Sequence, residues 1–261
     1  MKVVSPYKQI MIVLLALALA QLACSLGSRL SNANSQPAQS ASQPTQARSS
    51  SSGGCQNTYI PIQAGATWTY SGQDAAGTYT RTITISSVEA NSFERQVVIT
   101  QSNGTQRSYT DSWACTPDGL VLQGGPLATT FQSVYGSATM KTISSTGVTL
   151  PANITAGGAW SQQAQMEFTS AKGSVNLTLN YSFKGIGLEQ VIVAAGSFNA
   201  MKVEVNVTSQ ATVAGRTTNI IVDGFDWYVP NVGVAKSSYT VQVNGAPYPG
   251  TTAELQSYHI P

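Results

Sequence analysis

The chain reads as an all-β protein, either an antiparallel sandwich or an open, barrel-like curved sheet, carried behind a non-globular N-terminal stretch. Three observations predict this. Apolar and polar residues alternate with period two over long runs, turn signals rich in Gly and Asn separate those runs, and no amphipathic helical stretch follows the first 23 residues. Period two with one apolar face describes an antiparallel strand buried on one side.

The N-terminus comes first. Lys2 and Lys8 give a basic start, Ile10 to Ala20 is uninterruptedly apolar, and Gln21-Leu22-Ala23-Cys24 follows. This is the layout of a secretory signal peptide over residues 1–23. A helix over the apolar run would be roughly 17 Å long, too short for a hydrocarbon core that needs about 20 residues. Residues 24–54 then change composition to Ser, Gln, Ala, Pro and Gly, with almost no large apolar side chain. Such a segment buries too little surface to offset its ordering entropy and reads as a linker with a mean reach of about 30 Å.

The remaining residues, 55–261, are enough for a sizeable core in one large all-β domain or two small ones. They carry nine Lys/Arg against eleven Asp/Glu. No basic stripe appears, so the electrostatic footprint of a nucleic-acid-binding surface is missing.

Strand patterns fill this region. Val175, Leu177, Leu179, Tyr181 and Phe183 alternate with polar residues, as do Met201, Val203, Val205 and Val207, and Tyr239, Val241 and Val243. Turn signals stand at Ser102-Asn103-Gly104, Lys172-Gly173, Ala214-Gly215 and Asn244-Gly245. About 12–15 strands are expected, and with no helix to cover it the apolar face must meet a second sheet or its own curled continuation.

Three landmarks recur in order. Gly65-Ala-Thr-Trp68 is matched by Gly157-Gly-Ala-Trp160, Ser92-Phe93 by Ser197-Phe198, and Trp113 with Gly119 by Trp227 with Gly233. Either a β unit has been duplicated, over residues 57–125 and 148–258, or Gly/Thr-rich strands resemble one another by chance.

Several of these segments carry a family resemblance. Leu22-Ala23-Cys24 resembles a bacterial lipobox, with Gln21 and Leu22 departing from its usual residues. Tyr59-Ile60-Pro61-Ile62 followed by Gly65, Trp68 and Tyr70 resembles the opening of a family of bacterial lipoproteins. Ala195-Gly196-Ser197-Phe198-Asn199-Ala200, Trp227-Tyr228-Val229-Pro230-Asn231-Val232-Gly233 with Lys236, and Glu254-Leu255-Gln256-Ser257-Tyr258 match its later motifs. The resemblance implies a thioether-linked lipid on Cys24, where two or more acyl chains hold a protein stably at a membrane. It carries no established activity and supplies no catalytic residues.

Three cysteines are present. With Cys24 taken for lipid, Cys55 and Cys115 remain, and export permits a disulfide between them. Two free thiols or a metal site are the alternatives, the second poor because a lone His259 completes no ligand set.

Catalytic patterns are scarce. A Ser-His-Asp triad would have to use His259, the third residue from the end, and no Gly-x-Ser-x-Gly or His-Glu-x-x-His occurs. Gly185-Ile-Gly187 reads as a hairpin-like pair without the rest of a dinucleotide fingerprint. Asp223 and Asp226 are the closest carboxylate pair. At a spacing of three they project to opposite faces of a regular strand, unless Gly224 hides a bulge, and they read most simply as a solvated turn. Asn153, Asn176 and Asn206 stand in Asn-x-Thr frames and read as polar strand residues. The four tryptophans Trp68, Trp113, Trp160 and Trp227 are expected in the core or at the sheet rim, or else as an aromatic platform or cavity lining for a ligand.

The function expected is therefore non-catalytic and needs no cofactor or metal. The chain is expected to be exported and held at a bacterial membrane through Cys24, at the cell surface or in the periplasm. Its all-β domain would bind a protein, glycan or lipid partner or play a structural part. A carrier of hydrophobic molecules and an envelope hydrolase are the second and third readings.

Overall fold

A computed structural model describes residues 55–124, 139–170, 173–213 and 216–261. The expected signal peptide, Cys24, the expected linker and the turn residues Lys172, Ala214 and Gly215 lie outside the described residues.

Thirteen strands follow in order: β1 (Thr67–Asp74), β2 (Gly77–Val88), β3 (Ser92–Gln101), β4 (Gln106–Thr116), β5 (Gly119–Gly124), β6 (Thr139–Gly147), β7 (Leu150–Pro151), β8 (Ala159–Ser170), β9 (Gly173–Val193), β10 (Gly196–Val213), β11 (Arg216–Val229), β12 (Gly233–Val243) and β13 (Ala246–His259). They form one antiparallel sheet in the order β6-β8-β9-β10-β11-β12-β13-β1-β2-β3-β4-β5-β7. Of the two architectures expected, the curved single sheet is the one found. The join that makes it single is β1 with β13, where Thr67 pairs with His259.

The ladder does not close, but its two ends meet. The chain between β6 and β7 crosses from β8 to β5: Val148 N–H donates to the Ser161 carbonyl at 2.9 Å and Thr149 N–H to the Leu120 carbonyl at 2.8 Å. Buried Gln162 of β8 donates to the Leu122 carbonyl at 2.9 Å, and Thr149 donates to Gln162. Side chains thus stitch what backbone pairing leaves open, which satisfies polar groups at an otherwise bare edge.

The alternation read from sequence is the alternation of burial. Val175, Leu177, Leu179, Tyr181 and Phe183 are buried, as are Met201, Val203, Val205 and Val207, and Tyr239, Val241 and Val243. All belong to one core with Trp68, Tyr70, Phe93 and Trp113 from the other wall. Asn244 and Gly245 both take positive φ, 51° and 79°, the backbone a two-residue hairpin needs.

Gly185-Ile-Gly187 is not a hairpin. It lies inside β9 at a bulge, where Lys202 pairs with Gly187 and Val203 with Gly185. A Cβ on Gly185 would stand 2.2 Å from the Thr155 carbonyl oxygen. The glycine is there so that the loop before β8 can pair with this strand, through Gly157 N–H to Gly185 O at 2.7 Å.

The barrel-like sheet has two ends. At one, Cys55 is disulfide-bonded to Cys115, Asn231 N–H donates to the Thr58 carbonyl, and Thr58 bonds Asn153. The β9–β10 tip also lies here, with Ala195 N–H donating to the Leu255 carbonyl at 3.2 Å. We call this the tether end, since residue 54 leads into it. The opposite end carries the β1–β2, β3–β4 and β12–β13 turns.

The repeated landmarks fall on matching elements. Gly65 and Gly157, with φ of 86° and 80°, precede β1 and β8, while Trp68 and Trp160 are the second residues of those strands. Trp113 and Trp227 fall on β4 and β11, and Gly119 and Gly233 open β5 and β12.

Candidate functional site

The interior is not uniformly apolar. In β2, the parity that buries Tyr79, Ile83 and Ile85 also turns Arg81 inward. In β3, Arg95 is in phase with buried Phe93, Val97 and Ile99. In β4, Asp111 lies between buried Tyr109 and Trp113. Each charged side chain sits on the apolar face of its strand, so each must find its partner inside the sheet.

They do so in two groups. Arg95 Nε and an Arg95 terminal nitrogen donate to the two carboxylate oxygens of Asp111, both at 2.8 Å. Trp113 Nε1 adds a bond to Asp111 at 2.9 Å, and the Arg95 guanidinium stands 4.7 Å from the centre of the Trp113 ring. Burial alone would lower the Arg95 pKa, but Asp111 outweighs it and the group is held above its ordinary value. The second group gathers on Asp226. Tyr239 donates to it at 2.6 Å and Tyr228 at 3.4 Å, with Ser237 also bonded and Arg81 nearby. Burial raises the Asp226 pKa, and those hydroxyls and Arg81 only partly offset this. The Tyr239 and Tyr228 hydroxyls are driven well up by burial and by the carboxylate they face.

These groups border one cavity of about 160 Å³. Its polar wall is Arg81, Arg95, Asp111, Ser237 and Asp226 on β2, β3, β4, β12 and β11, and its apolar wall includes Phe183, Val205, Val207 and Val222 on β9 to β11. Drug-sized ligands occupy roughly 300–1,000 Å³, whereas an apolar cavity of about 150 Å³ binds benzene. The space therefore suits a small ring, or one end of a longer amphipathic molecule.

Asp226 corrects the sequence reading. The stretch Asp223–Asp226 is the middle of β11, paired on both sides, and not a solvated turn. The two carboxylates do face opposite ways: Asp223 accepts from Asn206, while Asp226 lines the cavity. Gly224 hides no bulge, since its pairings with Val205 and Tyr239 run in register. Its role is spatial. A Cβ there would stand 2.0 Å from Ser238 O and 2.6 Å from Tyr239 Cδ1, so the bare backbone lets the Tyr239 ring lie against β11 and reach Asp226.

The four tryptophans are divided. Trp68 and Trp113 line the cavity, the first donating to the Val232 carbonyl. Trp160 stacks on Phe183 at 5.3 Å and donates to the Thr149 carbonyl at 3.1 Å, closing the seam. Trp227 faces outward, 7% exposed, beneath Lys202 and Lys236, whose ammonium groups stand 5.1 and 5.9 Å from its ring centre. Three of the four are buried, which leaves no room for a surface platform made of all of them. His259 is exposed at the end of β13. Among the described residues no group of three or more His, Cys, Asp and Glu could hold a metal ion.

No family model and no curated protein sequence matches the chain. Solved structures do. This all-β fold has crystallographic counterparts. One is a protein provisionally described as a lipoprotein, from Parabacteroides distasonis, with a TM-score of 0.51 at 19% identity over 78% of this chain and 99% of its own. Another, provisionally described as an exported protein with a YmcC-like fold, is from Bacteroides fragilis, with a TM-score of 0.50 at 15% identity over 78% and 100%. The likeness is one of fold across the whole sheet.

Proposed function

We propose that this is an exported bacterial envelope lipoprotein, tethered through Cys24, whose domain binds a small amphipathic molecule inside its curved sheet without catalysing a reaction. The amphipathic cavity carries this reading: charged and apolar side chains line one space within a single sheet. The expected carrier of hydrophobic molecules usually fills a half-barrel with helices. Here the space is left to side chains, and the described residues hold no helix.

Two carboxylates in one cavity keep the hydrolase as a second reading. Asp111 argues against it, since three donors already occupy its oxygens and hold it in place. The export signal, the lipobox resemblance and the provisional descriptions of the two structural counterparts support the envelope location. Cys24→Ala tests the anchor: the protein should move from the membrane fraction to the soluble one.

Ligand binding is tested with a small fluorescent aromatic amphiphile such as N-phenylnaphthylamine. The folded protein should raise its emission saturably. Val207→Phe, which fills the apolar wall, should abolish the rise with the fold intact by circular dichroism. Equal emission with both proteins would assign the probe to the surface and remove the reading.

A further inference from the structure

Exposed large apolar side chains are not scattered evenly over the described residues. Six stand out: Val88, Ile143, Ile186, Leu188, Ile192 and Tyr258. All but Ile143 lie at the tether end. Val88 closes β2 beside the β2–β3 turn, Tyr258 is near the end of β13, and the other three are on the last part of β9. Leu188 and Ile192 are 65% and 77% exposed, on the face of β9 opposite buried Val191 and Val193. That face is left bare while the other is packed. Scattered single apolar residues need no explanation, but their concentration at one end does.

The same end receives the chain from its N-terminal side. Cys55 is pinned there by the bond to Cys115, and Asn57 donates to the Pro151 carbonyl at 3.0 Å. Only 30 residues lie between Cys24 and Cys55. A tether of that length keeps the domain at a millimolar effective concentration next to the surface it is fixed to, so even a weak contact is populated. The charge beside the tip is balanced: Glu189 pairs with Lys202 at 3.0 Å. A surface recognised by this tip needs apolar depth and no particular headgroup charge.

We infer that the β9–β10 tip is a membrane-contacting element, with Leu188 and Ile192 entering the outer layer of the bilayer to which the tether leads. The contact orients the domain with its tether end toward lipid. It rests on the anchored reading for the direction of the tether alone, and loss of the lipid on Cys24 would leave the tip testable by itself.

The test uses residues 25–261, made without signal peptide or acyl chain and with the disulfide formed. The protein is mixed with vesicles of phosphatidylcholine and phosphatidylethanolamine at millimolar lipid and floated on a density gradient. The parent and Ile143→Ser should float alike. Leu188→Ser/Ile192→Ser should float at least about fivefold less, with an unchanged thermal melt, since both positions are exposed. A parent that stays at the bottom, or a double variant that floats as well as the parent, overturns the inference. A parent that sediments as a dimer while the double variant is monomeric assigns the tip to a second copy and also overturns it.

Discussion

Asp111 and Arg95 illustrate how a charged residue betrays itself. Both stand in phase with the apolar residues of their strands, so period two alone places them inside. Spacing along the chain does not reveal Asp111 as a partner in a site, because it lies far in sequence from Asp226 and only the fold brings both carboxylates to one cavity. A buried bidentate pair is costly to break from one side. Asp111→Ala leaves Arg95, 18% exposed in its side chain, without its carboxylate. Chemical denaturation should show a loss of about 3–5 kcal/mol, and Arg95→Met/Asp111→Leu should recover most of it. Asp226 makes a pH prediction. Its folded pKa is raised above its unfolded one, so the folded state binds the proton more tightly. The stability tied to that proton is complete below the unfolded pKa and is lost as pH rises through the folded one. Asp226→Asn keeps an oxygen for the Tyr239 hydroxyl and carries no charge. Its melting temperature relative to the parent should rise between acidic and neutral pH. A constant difference would mean that Asp226 titrates as it does in the unfolded chain.

Strands were the most legible elements. The runs at 175–183, 201–207 and 239–243 bury the residues that alternation assigns to the core, because a one-residue slip would turn every apolar side chain to solvent. Glycines were less legible. Gly185 and Gly224 do not turn the chain; they let another backbone or a tyrosine ring come close, and which neighbour arrives is not written locally. Gly224→Ala tests this at the level of β11. The methyl group meets Ser238 O and the Tyr239 ring at once. It should destabilise the domain by about 1–3 kcal/mol and move the Tyr239 hydroxyl away from Asp226. Tyr239→Phe should lose less, because it keeps the ring in place.

At the scale of the molecule, the sequence left a sandwich and a curved sheet equally open. What decides between them is the pairing of β1 with β13, near the two ends of the described domain, and no local pattern encodes a partner so far along the chain. The landmarks shared by β1–β5 and β8–β12 fall on matching elements, as either a duplicated meander or chance likeness between Gly/Thr-rich strands would have it. The two sets differ in detail: Trp113 looks into the cavity and Trp227 looks out. The disulfide was legible from counting cysteines, and it fixes Cys55 to β4 across a separation of 60 residues. Intact mass should rise by two hydrogen atoms on reduction, and Cys55→Ser should cost up to about 4 kcal/mol.

The central claim is that the curved sheet holds a small amphipathic molecule between its charged and apolar walls. Native mass spectrometry of the protein, purified from the cells that make it, addresses this most directly. The claim predicts a mass above that of the covalent polypeptide, released on denaturation and absent from Val207→Phe. A parent protein whose native and denatured masses agree, at every stage of purification, would contradict it.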